Sequence, residues 1–162
     1  MSRAAVEMVR QAISPARGQA WHGGPTPVGA LRGVHAAEAH WVPARGRSSI
    51  WRLTLHVAYW KYTIRRHLAS QPIPRFPRSP ANFPRVPARA DEAAWQADRM
   101  LLADEHRLLN EAIESFDGKR LGRIPVAGKK WTFGEMLIGI VLHDAYHVGQ
   151  IQMLKKMWGA NR

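Results

Sequence analysis

The stretch SSIWRLTLHVAYWKYTIRRHLAS, residues 48–70, carries the clearest helical pattern in this chain of 162 residues. Its apolar side chains recur every three or four positions, which places them on one face of an α-helix. They are Ile50, Leu53, Val57, Trp60, Ile64 and Leu68. Ser48 or Ser49 can cap this helix, because a serine hydroxyl accepts a hydrogen bond from a free backbone N–H of the first turn. We therefore predict a long amphipathic helix with one face in a core.

Three further segments show the same periodicity. One runs from about residue 2 to 19, although Pro15 disturbs its second half. The others run from about 91 to 116 and from about 132 to 158. Four such helices predict an all-α protein, a four-helix bundle that forms a single domain over residues 1–162. Periodicity leaves the helix order open between up-down-down-up and up-down-up-down.

A long proline-rich segment separates the second and third of these helices. Residues 71–90, QPIPRFPRSPANFPRVPARA, hold six prolines and are compatible with neither a helix nor a central strand. We predict an extended loop between two bundle helices, and loops of this length often cover a site. Earlier in the chain, Pro27 to Gly33 has a proline and a glycine placed to open and close one or two helical turns.

Cysteine is absent from the sequence. This excludes disulfides, thiolate metal ligands and a cysteine nucleophile, so a metal site must use nitrogen and oxygen ligands. If the protein performs thiol chemistry, the thiol must arrive on a cosubstrate.

Charge and hydropathy limit the partners and the location. The 24 lysines and arginines outnumber the 12 acidic residues, a balance that attracts phosphates and other anions. These cations are scattered among loops without a nucleic-acid-binding pattern, so a solvated basic surface is preferred over a nucleic-acid partner. No apolar run reaches the roughly 18 residues of a membrane span, and the N-terminus lacks the apolar core of a secretory signal. We expect a cytoplasmic protein without a membrane partner.

The stretch HDAYHVGQIQ, residues 143–152, places two histidines one turn apart inside the apolar stripe of the last helix. Histidines can be hydrogen-bonded core residues, but this spacing is also a common way for a helix to offer two nitrogen ligands to one metal ion. His56, at the flank of the stripe of residues 48–70, is a candidate third ligand, and His22 is the strongest alternative. Three neutral imidazoles would leave metal positions open for water or substrate, as in catalytic sites.

Two carboxylates fall on the apolar face of the third long helix, where an unpaired charge would cost several kcal/mol. For Asp98 we favour pairing with a basic or hydroxyl group of a neighbouring helix. Glu105 is a candidate catalytic residue, as a general base or as the partner of a ligand histidine. The alternative is a buried hydrogen-bonding hub. We also predict that Gln150 hydrogen-bonds a ligand imidazole.

Three segments together resemble the DinB-like family of four-helix-bundle proteins. They are WHGGPTPVGALRGV (21–34), SIWRLTLHVAYWKYTIRRHL (49–68) and HDAYHVGQIQMLKK (143–156). The resemblance implies a divalent metal ion bound near one end of the bundle, by residues that correspond here to His56, His143 and His147. It also implies a fold shared with transferases and isomerases that use bacillithiol or mycothiol, and homodimers are common in the family.

Two classes of function follow from these observations. The first is a metal-dependent enzyme with zinc or nickel on the three histidines, acting on a small molecule as a hydrolase or as an S-transferase with a low-molecular-weight thiol. The second is a non-enzymatic stress-response or nucleic-acid-binding module with a structural or vestigial metal site. The resemblance, together with seven tryptophans, predicts a homodimer.

Overall fold

The computed structural model of the protein describes residues 2–16, 23–126 and 129–160. Within these residues there is no β-strand, and the α-helices are α1 Ser2–Ile13, α2 Pro27–Ala30, α3 Ala36–His40, α4 Ile50–Leu68, α5 Glu92–Glu114 and α6 Phe133–Ala160. A single 3₁₀ turn, Gly118–Arg120, follows α5. The four long helices confirm the predicted all-α fold, and residues 69–91 form the expected irregular loop.

The starts of the long helices follow from capping side chains. The Ser49 hydroxyl accepts a first-turn N–H of α4 at 3.1 Å, and the Asp91 carboxylate does the same for α5 at 2.7 Å. Before α6, the Thr132 hydroxyl accepts the N–H of Glu135, and the Glu135 carboxylate accepts the N–H of Thr132. Each cap satisfies backbone donors that have no partner inside the helix.

Two short segments differ from the prediction. Helix α1 ends at Ile13 instead of near residue 19, because Ser14 precedes a proline and Pro15 lacks the N–H that would continue the helix. Residues 17–19 and His22 lie outside the described residues, so neither the end of the predicted segment nor the alternative ligand is placed. Helix α3 is an additional turn of helix that periodicity did not indicate.

The relative directions of the helices follow from two apolar clusters. Helices α1 and α4 each contact both α5 and α6. One cluster joins the start of α4 to the start of α5 and the second half of α6, and includes Trp51, Trp95 and Ile151. The other joins the three opposite ends, and includes Leu68, Ile113 and Leu137. Helices α4 and α5 therefore run in the same direction and α6 runs against both, which excludes the up-down-up-down order and makes the proline-rich loop a long crossover.

Buried polar side chains lie at the level where the two clusters meet. They include His56 and Lys61 on α4, Glu105 on α5, and Asp144 and His147 on α6. Because burying such groups costs free energy unless they are paired, this layer is the place to look for a site. Among the helices in the described residues, none has both the length and the apolar content to cross a bilayer.

Candidate metal centre

Three histidines from two helices come together in this layer. His56 lies near the middle of α4, and His143 and His147 lie one turn apart on α6. One ring nitrogen of each lies within 4.8 Å of the other two. The ring centroids are 5.0 Å apart for His56 and His143, and 4.4 Å apart for His143 and His147. This group could hold one metal ion.

Hydrogen bonds set the tautomers of two of the rings. His56 Nδ1 donates to the backbone carbonyl of Asn82 at 2.7 Å, and His147 Nδ1 donates to Oε1 of Gln150 at 2.7 Å. Since each Nδ1 carries the proton, the Nε2 atom of each neutral ring has a free lone pair. The predicted hydrogen bond of Gln150 to the His147 ring is confirmed, and hydrogen bonds of this kind orient histidine ligands in metal sites.

The cluster is uncharged near neutral pH. Burial lowers the pKa of His56 and His147, and burial followed by repulsion from the other two histidines lowers the pKa of His143 to about 3. Neutral imidazole is the form that binds a metal. Burial and mutual repulsion therefore favour the neutral form of all three rings, in which each ring has a nitrogen lone pair that can bind a metal ion.

One nitrogen of the cluster is left without a hydrogen bond. His143 Nε2 lies 3.1 Å from His56 Nε2, while His143 Nδ1 is buried and has no partner among the described residues. Because the His56 ring is protonated at Nδ1, the short contact requires His143 to carry its proton on Nε2. A cation shared by the two Nε2 atoms would remove that constraint. Three neutral nitrogens without a thiolate suit a borderline metal ion, so the donor set fits the expected divalent metal.

The proline-rich loop covers one side of this group. The Phe83 ring stacks on His56 with centroids 4.0 Å apart and planes 6° from parallel. The Trp60 indole N–H donates to Asn82 Oδ1 at 2.8 Å, and Asn82 has a positive φ of 70°, which asparagine tolerates better than most residues. Asn82 and Phe83 were missed from the sequence. The length of the loop was the only indication that it covers a site.

Asp98 has the partners that its position requires. Its carboxylate accepts the Trp51 indole N–H at 2.7 Å and Nε of Arg78 at 2.8 Å. The predicted pairing is confirmed, although the cation comes from the proline-rich loop and not from a helix. The ion pair fastens this loop to α5.

Glu105 lies in the same buried face, and both of its oxygens are engaged. They accept Nε and Nη2 of Arg65, each at 2.9 Å. The three-histidine group does not include this carboxylate. These contacts favour the alternative of a hydrogen-bonding hub between α4 and α5, and a catalytic role for Glu105 stays a prediction.

A third buried ion pair joins α4 to α6 at the level of the histidines. Lys61 is fully buried, and its ammonium donates to the carboxylate of Asp144. Burial raises the pKa of Asp144 and the Lys61 charge opposes that rise. The pair fixes α6 against α4 beside His143. Asp144 thus contacts another helix.

Comparison with known proteins identifies a family. No curated protein and no solved structure matches this chain at a significant level. A sequence model of the DinB superfamily matches residues 28–151. The matched region covers most of the chain, reaches from α2 into α6 and contains His56, His143 and His147. The chain belongs to the DinB superfamily.

Proposed function

We propose that this protein is a metal-dependent enzyme that uses His56, His143 and His147 to bind one divalent ion, zinc or nickel. The observation that carries the proposal is the convergence of three neutral imidazoles with their nitrogens within 4.8 Å. Such an ion would supply Lewis acidity, which lowers the pKa of a water or thiol that it binds. The side chains around it hold the ligand rings: the Asn82 carbonyl and Phe83 fix His56, and Gln150 fixes His147.

We favour transfer of a low-molecular-weight thiol over hydrolysis. Within the described residues, no carboxylate belongs to the histidine group, and the buried carboxylates Asp98, Glu105 and Asp144 are each paired with a cation. The site therefore lacks a free acid or base to protonate a poor leaving group. Thiol transfer to an activated carbon needs no acid to protonate the leaving group. The sulfur forms a bond to carbon, a halide departs, and the thiol proton goes to solvent. Hydrolysis of an activated ester is the alternative.

An activity screen tests the proposal. Protein purified without an affinity tag and loaded with zinc or nickel is mixed with a small thiol and 1-chloro-2,4-dinitrobenzene, or with 4-nitrophenyl acetate. We expect thioether formation that a chelator abolishes and that His143→Ala lacks, while His35→Ala keeps it. Ester hydrolysis alone would replace the transferase by the hydrolase. If neither reaction depends on metal and duplex DNA binds in a steeply salt-dependent manner, the non-enzymatic alternative is favoured.

We also propose that two copies of the chain pair through α6. A stripe of large apolar side chains remains exposed along this helix, at intervals of four and seven residues. It consists of Ile138, Leu142, Tyr146 and Met153, each at least 57% exposed. Contiguous apolar surface of this kind usually marks an interface. It lies on the same helix as two of the proposed ligands, so pairing would stabilise the helix that carries them.

Light scattering tests the pairing. We expect a mass of twice 18.3 kDa at micromolar concentration. Leu142→Glu should shift the protein to the single-chain mass, because it places a charge within the stripe, whereas Glu111→Gln on the exposed face of α5 should not. A single-chain mass for the unchanged protein would contradict the proposal.

A further inference from the structure

A cleft of about 590 Å³ lies beside the histidine cluster. Its walls are formed by the second half of α4, the first half of α6 and the residues Pro125, Val126, Lys129 and Trp131. His143 is one of the lining side chains, so the cleft and the proposed metal site share a residue. Its volume lies within the range of roughly 300–1,000 Å³ that is typical of small-molecule sites.

The walls of this cleft are mainly apolar and aromatic. Trp60 and Trp131 provide two large indole surfaces, and Met136 and Ile140 line the side of α6. Trp60 is held in place by its hydrogen bond to Asn82, and its ring lies 5.9 Å from the ring of His143. A fixed aromatic wall next to a proposed ligand favours a planar, apolar molecule, since indole surfaces stack on such groups.

The charged groups at the cleft differ in whether they have a partner. Lys129 is exposed and its ammonium has no ion-pair partner among the described residues, while the Lys130 ammonium lies 4.9 Å from the centroid of the Trp131 ring. Glu135 also lines the cleft, but its carboxylate is engaged by the backbone N–H and the hydroxyl of Thr132. Glu135 keeps its negative charge, held at the start of α6, while the Lys129 ammonium is free to meet an anionic group of a bound molecule.

We propose that this cleft binds the substrate, and that the substrate is a planar apolar molecule with one negatively charged group. The apolar body would lie against Trp60 and Trp131, the anionic group would face Lys129, and the remaining end would meet His143. The inference rests on the proposed function for its chemistry, but binding in the cleft can be measured without turnover. It disfavours sugars, which lack an apolar face of this size, and cationic molecules.

Three matched probes test the chemical class: 1-naphthoate, neutral 1-naphthalenemethanol and cationic 1-naphthylmethylammonium. Their binding to the full chain is measured by tryptophan fluorescence and calorimetry, both on zinc-loaded protein and after chelator treatment. We expect naphthoate to bind at least about tenfold more tightly than the cation in both forms, with the alcohol between them. Equal affinities, no binding by any probe, or naphthoate binding that is lost with the metal would overturn the proposal.

Two substitutions test the location. Gly139 lines the cleft, and a Cβ added there would meet no atom within 4 Å, so Gly139→Leu places a larger side chain at an open position of the cleft wall. We expect it to weaken naphthoate binding at least about tenfold, while Gly159→Leu, on the same helix but outside this cleft and equally open, leaves binding unchanged. Lys129→Met should reduce naphthoate affinity about threefold, as for a solvent-exposed charge pair, with Lys119→Met as its control.

The results separate this inference from the proposed function. If Gly139→Leu blocks naphthoate but the protein performs no metal-dependent reaction, the cleft proposal stands and the enzymatic one fails. If a metal-dependent reaction is found and Gly139→Leu changes neither naphthoate binding nor that reaction, the cleft proposal is wrong and the enzymatic one stands.

Discussion

Two kinds of buried polar group lie inside this bundle, and they differ in how their charge is balanced. The carboxylates of Asp98, Glu105 and Asp144 each accept a hydrogen bond from an arginine or lysine side chain. The three histidines have no acid among them, repel one another when protonated, and leave one buried ring nitrogen without a partner. Each of these carboxylates has a cation as its partner, whereas the three neutral histidines could hold a metal ion. This difference separates what holds the bundle together from what we propose performs its chemistry.

The largest effect is expected from breaking the most buried ion pair. Lys61→Met removes the ammonium and leaves the Asp144 carboxylate buried without its cation, which should lower the free energy of unfolding by about 3–5 kcal/mol in urea titrations. The double variant Lys61→Met/Asp144→Leu should recover most of that loss, because it leaves no charge to bury. If Lys61→Met alone is as stable as the unchanged protein, the buried ion pair does not stabilise the fold as we expect.

Glu105→Gln distinguishes the two roles considered for that residue. It retains the shape but weakens the paired hydrogen bonds to Arg65, so we expect a loss of about 1–3 kcal/mol in unfolding free energy with metal affinity unchanged. Glu111→Gln is the control: its carboxylate pairs with Arg107 on the exposed face of α5, where water screens the pair, so stability should change little. If Glu105→Gln instead lowers metal affinity or activity at unchanged stability, the residue is catalytic or holds a ligand.

Phe83→Ala tests whether the proline-rich loop supports the metal site. Removing the ring that stacks on His56 should weaken zinc binding about tenfold, as is typical for groups that hold a metal ligand in place. Phe76→Ala is the control, since Phe76 belongs to the same loop but contacts Tyr59 and Tyr62. Equal zinc affinity for the unchanged protein and Phe83→Ala, from competition with a chelating dye, would show that the stack is not needed.

A pH-dependent effect is expected for acid stability. Burial, and secondarily the Lys61 charge, lowers the pKa of His106 from 6.5 to about 3. The unfolded chain binds a proton at His106 below about pH 6.5, whereas the folded chain does not bind it until near pH 3. The contribution of His106 to the free energy of unfolding is therefore fully present above pH 6.5 and is lost as the pH falls from 6.5 towards 3. For one proton, the free energy of unfolding changes by at most about 1.4 kcal/mol per pH unit.

The matched variants for this prediction are His106→Gln and His35→Gln. Melting temperatures of chelator-treated protein between pH 7.5 and 4.5 should depend less on pH in His106→Gln than in the unchanged chain. His35→Gln should behave like the unchanged chain, because the His35 side chain is 80% exposed. Identical pH profiles for all three proteins would show that His106 does not contribute.

The sequence predicts the helical parts of the fold and of the site, because periodicity is a local property. The periodicity of four segments predicted the bundle, and the four-residue spacing of His143 and His147 predicted a pair of metal ligands. His56 was a candidate for the third ligand, and the resemblance to the DinB-like family implied the full set of three. The inward positions of Asp98 and Glu105 were also evident, and so was the contact of Gln150. Apart from the full set of metal ligands, these predictions use only spacing along single helices.

What the sequence did not reveal depends on contacts between distant segments. Arg65 and Arg78 have no local feature that assigns them to Glu105 and Asp98. Asn82 and Phe83 lie among prolines, where no periodicity indicates which side chains turn inward. The shared direction of α4 and α5 depends on the path of the crossover loop between them. The burial of Lys61 is explained only by its ion pair with Asp144, a residue far away in the sequence.

The central claim is that His56, His143 and His147 form one metal site, and metal stoichiometry tests it most directly. Protein purified without an affinity tag is equilibrated with zinc or nickel, freed of excess ion, and analysed for metal per chain. We predict one equivalent for the unchanged protein, His35→Ala and His67→Ala, and much less than one for His56→Ala, His143→Ala and His147→Ala, with helical circular dichroism retained throughout. A full equivalent in all three ligand variants would contradict the account.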